Sequence, residues 1–247
     1  MHITLTGNLG SGKSTICKIL ESKHGYEIYS TGKVQRKLAE DLGITVLEMN
    51  QLMCTDNKYD HMIDDTTAKI SRENPDKAIV FDSRLAWNFV ETSFKVFLSV
   101  SLGIAAKRVY ADNRGEVEKY SSVEDAKAQL KLRAETEDKR YKDIYNLDYF
   151  NFHNYNLILD STYCEPELLS HIMIEESKNY QPNKTKILMT TKRLGVEAVV
   201  NEVSEVYQLE GDVVIEQYED DFRVVSGMEV VQEAASKGIP FVSVHLI

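Results

Sequence analysis

The chain has 247 residues, 43% of them hydrophobic, and a formal net charge of −10. This apolar content can fill a core and excludes general disorder, while the negative charge excludes general affinity for polymeric nucleic acid. No apolar run reaches the roughly 20 residues of a membrane helix. No cationic leader precedes the first motif, and the three scattered cysteines fit reduced thiols. We therefore expect a cytoplasmic protein without membrane contact.

The first 180 residues alternate short apolar strands with helices. This order predicts an α/β fold in which helices flank a parallel sheet. The predicted strands cover 3–6, 27–29, 78–81, 94–99 and 157–159, and the predicted helices cover 14–23, 33–41, 46–53, 59–72, 102–110, 123–141 and 165–177.

A phosphate-binding motif follows the first predicted strand and opens the first helix. It reads Gly7-Asn8-Leu9-Gly10-Ser11-Gly12-Lys13-Ser14, which fits G-x-x-x-x-G-K-[ST]. Its glycines let backbone N–H groups point at phosphates, and the helix N-terminus adds positive charge. We expect Lys13 to reach the β- and γ-phosphates, the Ser14 hydroxyl to bind Mg²⁺, and Thr15 to reach the α-phosphate. The motif alone does not distinguish motors, GTPases and small kinases.

Three charged residues are candidates for the acceptor side of the site. Asp82 ends a buried strand, where open α/β sheets place their ligand crevice, so it can help to bind Mg²⁺ or orient an acceptor. The alternative is an aspartate that caps the next turn. Arg84 and Arg36 offer guanidinium groups that suit a dianionic phosphate, against the alternative of solvated surface charges.

The helix predicted over 123–141 carries Arg133 and Arg140, two turns apart and so on one face. Arg108 and Arg114 precede it, and Gly115 offers a hinge. Phosphoryl transfer needs positive charge around the moving group and exclusion of water, and a helical lid bearing arginines supplies both. The alternative is an exposed helix with i,i+4 ion pairs.

The first 180 residues resemble the nucleoside monophosphate kinases, and most closely the short cytidylate kinase type of archaea and some bacteria. Besides the phosphate-binding loop, the resemblance rests on four segments: Ser30-Thr31-Gly32, Arg36-Lys37-Leu38-Ala39, Asp82-Ser83-Arg84-Leu85-Ala86-Trp87, and the most specific block, which runs from Arg133 to Tyr145 and is followed by Asp148 and by 155–160.

The resemblance implies transfer of the ATP γ-phosphoryl group to a nucleoside monophosphate, most closely CMP or dCMP, with Mg²⁺. The matching positions imply that Arg36, Arg84 and Thr31 bind the acceptor, and that Asp82 organises the metal site or acceptor. Lys13, Arg133 and Arg140 would neutralise the transferred group, and Arg114 would contact the nucleotide donor.

Two residues depart from the family pattern on the acceptor side. Ser83 stands where the family usually has glycine, and Lys33 where it commonly has an acid. These departures keep one rival function open, and the additional acidic segment at the C-terminal end supports a second. One is a P-loop kinase for another small acceptor, and the other is a non-catalytic ATP-binding regulator that signals through the C-terminal segment.

Residues 183–247 are expected to form a small accessory α/β domain after a boundary near Asn179–Asn183. They hold 6 basic and 11 acidic residues. The predicted elements are strands at 186–189 and 240–246, a hairpin at 213–225, and helices at 196–209 and 227–236. The run 213–247 faintly resembles the ParB/sulfiredoxin-like fold but lacks its loop histidine and arginine. Its expected role is a homodimer or partner contact, regulation, or stabilisation of the kinase.

Overall fold

The computed structural model describes residues 1–44, 46–112, 120–198 and 206–247. Within these residues the chain forms two sheets. Their strands are β1 (His2–Gly7), β2 (Glu27–Ser30), β3 (Ile79–Asp82), β4 (Ser93–Ser99), β5 (Leu157–Asp160), β6 (Lys186–Thr190), β7 (Gln208–Leu209), β8 (Val214–Tyr218), β9 (Asp221–Ser226), β10 (Phe241–Ser243) and β11 (His245–Leu246).

The helices lie between the strands in the predicted alternation, so the predicted α/β fold is confirmed. They are α1 (Lys13–His24), α2 (Thr31–Leu42), α3 (Val46–Thr55), α4 (Lys58–Glu73), α5 (Ala86–Phe89), α6 (Leu102–Ala111), α7 (Val123–Tyr145), α8 (Pro166–Asn179) and α9 (Met228–Ser236). The short helix α5 and a 3-10 turn at Phe152–Asn154 were not predicted. In none of the described segments is a helix long and apolar enough to cross a membrane.

The central sheet has eight strands in the order β2-β3-β1-β4-β5-β6-β10-β7. Its first six strands are parallel, and β10 runs antiparallel to β6. Every residue of β1 is buried, because the strand lies between β3 and β4 and the sheet is covered on both faces. The polar residues His2, Thr4 and Thr6, which alternate with Ile3 and Leu5, are therefore buried as well.

The carboxyl ends of the parallel strands meet at one edge of the sheet. Leu5 of β1 pairs with Asp82, Gly7 pairs with Leu98, and Ser99 pairs with Asp160. The loop after β1 therefore begins beside the ends of β3 and β4. This edge is the place where parallel α/β sheets bind ligands.

The C-terminal segment adds three strands to the central sheet and forms a second sheet in the order β11-β8-β9. Strand β6 pairs with β5, so the central sheet continues across the predicted boundary. That boundary falls in the exposed connection between α8 and β6, and the division into two domains stays a prediction.

Two predicted elements of this segment are wrong. The helix predicted over 196–209 is absent at both described ends: residues 196–198 and 206–207 are non-helical, and β7 pairs with β10. The intervening residues 199–205 lie outside the described residues. The strand predicted over 240–246 is divided, because Val244 donates to Ile187 O while His245 donates to Val213 O, which sends β10 and β11 to different sheets.

Candidate active site

A cavity of about 360 Å³ opens at the carboxyl edge of the central sheet, between the loop after β1 and helices α2, α4 and α7. It brings together most of the residues that the sequence singled out, from segments far apart in the chain. The predicted residues that line it are Leu9, Gly10, Ser11, Gly12, Lys13, Ser14, Thr15, Thr31, Arg36, Asp82, Arg84, Arg133 and Arg140.

The phosphate-binding loop is fixed against β4 by its first two residues. A Cβ atom at Gly7 would lie 2.5 Å from Leu98 O, so only glycine fits this approach. The Asn8 backbone donates to Leu98 O at 3.0 Å, and its side-chain Oδ1 accepts from Val100 N at 3.0 Å. Gly12 adopts φ +88° where α1 begins. The loop is thus held at the N-terminus of α1, where exposed N–H groups favour phosphate.

Lys13 lies at the floor of this cavity among charged groups of both signs. Burial, reinforced by the Arg84 guanidinium, lowers the pKa of its ammonium group to about 7. Bound phosphates would oppose that shift, because negative charge favours the protonated amine. The ammonium group is therefore placed where only an anionic ligand fully stabilises its charge.

Asp82 ends β3 and faces the loop from the opposite wall. Its Oδ2 accepts from Ser30 Oγ at 3.0 Å, and its backbone oxygen accepts from Thr31 Oγ1 at 3.4 Å. The Ser14 hydroxyl lines the same cavity. A hydroxyl and a carboxylate are oxygen donors of the kind that Mg²⁺ takes beside phosphates and water, so this pair fits the ion.

Glu137 of α7 joins two of the predicted arginines at the centre of the site. Its Oε2 accepts from Arg84 Nε and its Oε1 from Arg133 Nε, both at 2.9 Å. Burial alone would raise the pKa of the Glu137 carboxyl, but Arg84 and Arg133 lower it to about 2. Arg84 also donates to Gly7 O at 2.5 Å. The carboxylate thus holds arginines from two elements beside the phosphate-binding loop.

Arg140 and Arg36 occupy different environments in the cavity. Arg140 is buried, its Nη2 lies 3.7 Å from Asp60 Oδ1, and its Nε has no hydrogen-bond partner among the described residues. Arg36 is exposed on α2. The first is part of the cavity wall, and the second lines the cavity from an exposed position.

The other residues that the sequence singled out differ in position. Arg114, like the hinge at Gly115, falls outside the described residues. Arg108 donates to Ser161 O at 2.7 Å and Thr162 O at 3.2 Å. Ser83 is buried in the cavity wall, where its Oγ accepts from Leu85 N, whereas Lys33 is exposed on α2. Of the two departures from the family pattern, only Ser83 lines the cavity.

Sequence reasoning missed several cavity residues. Glu137 follows Arg133 by four positions, so helical spacing predicts that they are neighbours, but spacing does not show that the carboxylate is buried. The cavity contains a second unpredicted group, to which helices α2, α3, α4 and α7 contribute: Gln35, Met53, Asp60, Ile63, Asp64 and Tyr141.

The chain is similar in sequence to known cytidylate kinases. Residues 2–163 match the model of the cytidylate kinase-like family. A cytidylate kinase of Methanobrevibacter smithii is 30% identical over 178 residues, which cover 72% of this chain and 99% of that protein. A cytidylate kinase of Haloarcula marismortui is 31% identical over 185 residues, covering 74% of this chain and 92% of that protein.

Among solved structures, an uncharacterised protein from Eubacterium ventriosum has a TM-score of 0.54 at 12% identity and covers 72% of this chain and 99% of its own. This similarity concerns the fold alone. The family match extends from β1 beyond the end of β5, and so includes the phosphate-binding loop, Asp82, Arg84 and the arginines of α7. The chain belongs to the cytidylate kinase-like family and is a nucleoside monophosphate kinase.

Proposed function

We propose that this protein transfers the γ-phosphoryl group of ATP to a cytidine monophosphate, CMP or dCMP, with Mg²⁺. The observation that supports this most strongly is the convergence of Lys13 and four arginines on one cavity at the N-terminus of α1. The relatives named cytidylate kinase support the choice of acceptor.

The proposed mechanism relies on positioning and charge, because phosphoryl transfer asks for little covalent chemistry from the protein. Backbone N–H groups of the loop and the Lys13 ammonium would bind the β- and γ-phosphates. Arg36 and Arg84 would hold the acceptor phosphate in line with the γ-phosphorus. Arg133 and Arg140 would neutralise the charge that spreads over the transferred group.

The metal would be held by the Ser14 hydroxyl and Asp82, directly or through water. When bound, Mg²⁺ supplies positive charge that neutralises the phosphate oxygens. The hydrogen bond from Ser30 to Asp82 keeps the carboxylate directed along the end of β3. Helix α7 borders the cavity with Arg133, Glu137 and Tyr141, and would shield the reacting groups from water.

An assay of ADP release across all nucleoside monophosphates and a panel of small hydroxylated metabolites tests the proposal. We expect CMP and dCMP to give the highest kcat/KM. If the protein phosphorylates one of these metabolites but none of the nucleoside monophosphates, the result would favour a P-loop kinase of other specificity. Tight ATP binding without any transfer would favour the regulatory alternative.

Lys13→Ala provides the matched control for this assay. We expect the variant to lose phosphoryl transfer, because Lys13 lies in the phosphate-binding loop itself, whereas Lys18, which also lines the cavity, is exposed one turn further along α1. It should remain folded, since a buried cation with a lowered pKa does not stabilise the fold. Circular dichroism and thermal unfolding would check the second point. Full activity in Lys13→Ala would contradict the proposed site.

A further inference from the structure

The two ends of the cavity are lined by residues of opposite charge. Its loop end contains Lys13 with Arg84 and Arg133, which suit phosphates. Its far end, on helix α4, contains Asp60 and Asp64. The two carboxylates are one helical turn apart and therefore share a face of α4. A ligand with a phosphate at one end and a hydrogen-bond donor at the other would complement both ends of the cavity.

One carboxylate oxygen at the acidic end receives no hydrogen bond from the described part of the chain. Asp60 is only 5% exposed and lines the cavity, and its buried Oδ2 has no hydrogen-bond partner among the described residues. Its other oxygen, Oδ1, faces Arg140 Nη2 at 3.7 Å. A buried carboxylate oxygen without a donor costs free energy, so an unsatisfied acceptor of this kind points to a donor that arrives with a ligand.

Asp64 strengthens the acidic character of this end. Its Oδ2 accepts from Tyr145 Oη at 2.7 Å, which fixes the side chain beside Asp60. Burial raises the pKa of the Asp64 carboxyl to about 7, and burial also raises the pKa of Asp60. Both groups have lost water without receiving a full set of compensating partners.

The neighbouring side chains suit a flat ring. Met53 at the end of α3 and Ile63 on α4 are buried apolar residues that line the same end of the cavity. Apolar walls with a few directed polar groups are typical of sites for small aromatic ligands. A nucleobase in this place would present its polar edge to the carboxylates.

We propose that Asp60 is the residue that selects the acceptor base, and that it accepts a hydrogen bond from the exocyclic amino group of cytosine. This inference rests on the proposed function. Cytosine presents an N–H donor at C4, whereas uracil presents a carbonyl oxygen at the same position. That carbonyl would place a second acceptor against Oδ2 and leave both unpaired. A site built to pair with a donor strongly rejects an analogue that lacks it.

The test compares kcat/KM for CMP and UMP at saturating ATP and Mg²⁺ in the wild type, in Asp60→Asn and in Asp65→Asn. In Asp60→Asn an amide, which can donate to the uracil carbonyl, replaces a charged acceptor. We expect the CMP-to-UMP ratio to fall by about 10- to 100-fold, the range for a hydrogen bond to a charged group. Asp65 is exposed on the same helix, so its variant controls for the lost charge and should keep the wild-type ratio.

The ratio is the decisive quantity, because Asp60 also faces Arg140. Loss of that contact would slow transfer to both acceptors equally and leave the ratio unchanged, as would a merely structural role. An unchanged ratio in Asp60→Asn would overturn the inference while leaving the kinase activity in place. Failure of the wild type to use any monophosphate would instead overturn the proposed function.

A second measurement needs no variant, in case Asp60→Asn does not fold. CMP and UMP at equal concentration should raise the melting temperature of the wild type to different extents, with the larger rise for CMP. Ligand stabilisation follows the dissociation constant, so a tenfold difference in affinity is resolved in this way. Equal stabilisation by the two nucleotides would contradict the proposal.

Discussion

At the scale of single residues, Glu137 allows two arginine side chains to lie close together in the cavity, because its carboxylate offsets their mutual repulsion. It accepts from both Arg84 and Arg133, and it is itself 5% exposed. One carboxylate balances one of the two guanidinium charges, so a net positive charge remains for phosphate.

The arginines of the cavity and the spacing of Arg133 and Arg140 were predictable from the sequence. The burial of Glu137 and Asp60 was not, because burial depends on the packing of α4 and α7.

We expect Arg133→Ala to lower kcat on the order of 100-fold or more, because it removes positive charge that the transferred group meets mainly in the transition state. Steady-state kinetics with ATP and CMP would measure this. Lys142→Ala is the matched control, since Lys142 is an exposed cation on the same helix, paired with Asp138. An unchanged kcat in Arg133→Ala would contradict the lid role of this arginine.

At the scale of elements, helix α7 lines two cavities. Arg133, Glu137 and Arg140 line the active-site cavity, while Lys131, Glu135 and other residues line a second cavity of about 1060 Å³. The other wall of that second cavity is the hairpin of β8 and β9. The turn of the hairpin contacts α7 through Asp220, which lies 3.3 Å from Lys127 Nζ and 3.1 Å from Lys131 Nζ.

Asp220→Lys should lower the melting temperature by a few degrees, because it replaces two attractions with two repulsions. Exposed pairs contribute about 0.2–1 kcal/mol each, and 1 kcal/mol corresponds to about 2–4 °C in a chain of this size. Adding Lys127→Asp and Lys131→Asp should restore the lost stability. The control is Glu219→Lys at the neighbouring exposed residue, which should change the melting temperature little.

Differential scanning fluorimetry at low and high salt would test this contact. Screening should reduce the difference between Asp220→Lys and the wild type, because the groups are exposed. If the charge-reversed triple variant were no more stable than Asp220→Lys, the contact would not hold the hairpin to α7.

Also at this scale, the strands of the first 160 residues were predictable, since four of the five are short runs of mostly buried residues, and only β2 at the edge of the sheet is partly exposed. The elements near 196–209 and 240–246 were not. Strand β7 has only two residues and depends on its pairing with β10. The break between β10 and β11 depends on hydrogen bonds to Ile187 O and Val213 O. Local sequence does not encode partners so distant in the chain.

At the scale of the whole molecule, the C-terminal segment is joined to the kinase by a buried arginine. Arg193 donates to Asp160 Oδ1 at 2.7 Å, Ser99 Oγ at 2.8 Å and Asp221 Oδ1 at 2.8 Å. Asp160 is fully buried at the end of β5, and Ser99 ends β4. The segment thus places a cation at the same sheet edge that holds the phosphate-binding loop.

We expect Arg193→Met to destabilise the protein by about 3–5 kcal/mol, because Asp160 would stay buried without its cation. Chemical denaturation would measure the loss. The double variant Arg193→Met with Asp160→Asn should recover part of it, since a neutral amide costs less to bury than an unpaired carboxylate. Recovery would show that the loss of stability comes from the unpaired Asp160 carboxylate and not from the cavity left by the guanidinium. A single variant with wild-type stability would mean that the hydrogen bonds donated by Thr162 and Thr190 suffice for the buried Asp160 carboxylate, and that Arg193 is not needed to hold the C-terminal segment at the edge of β5.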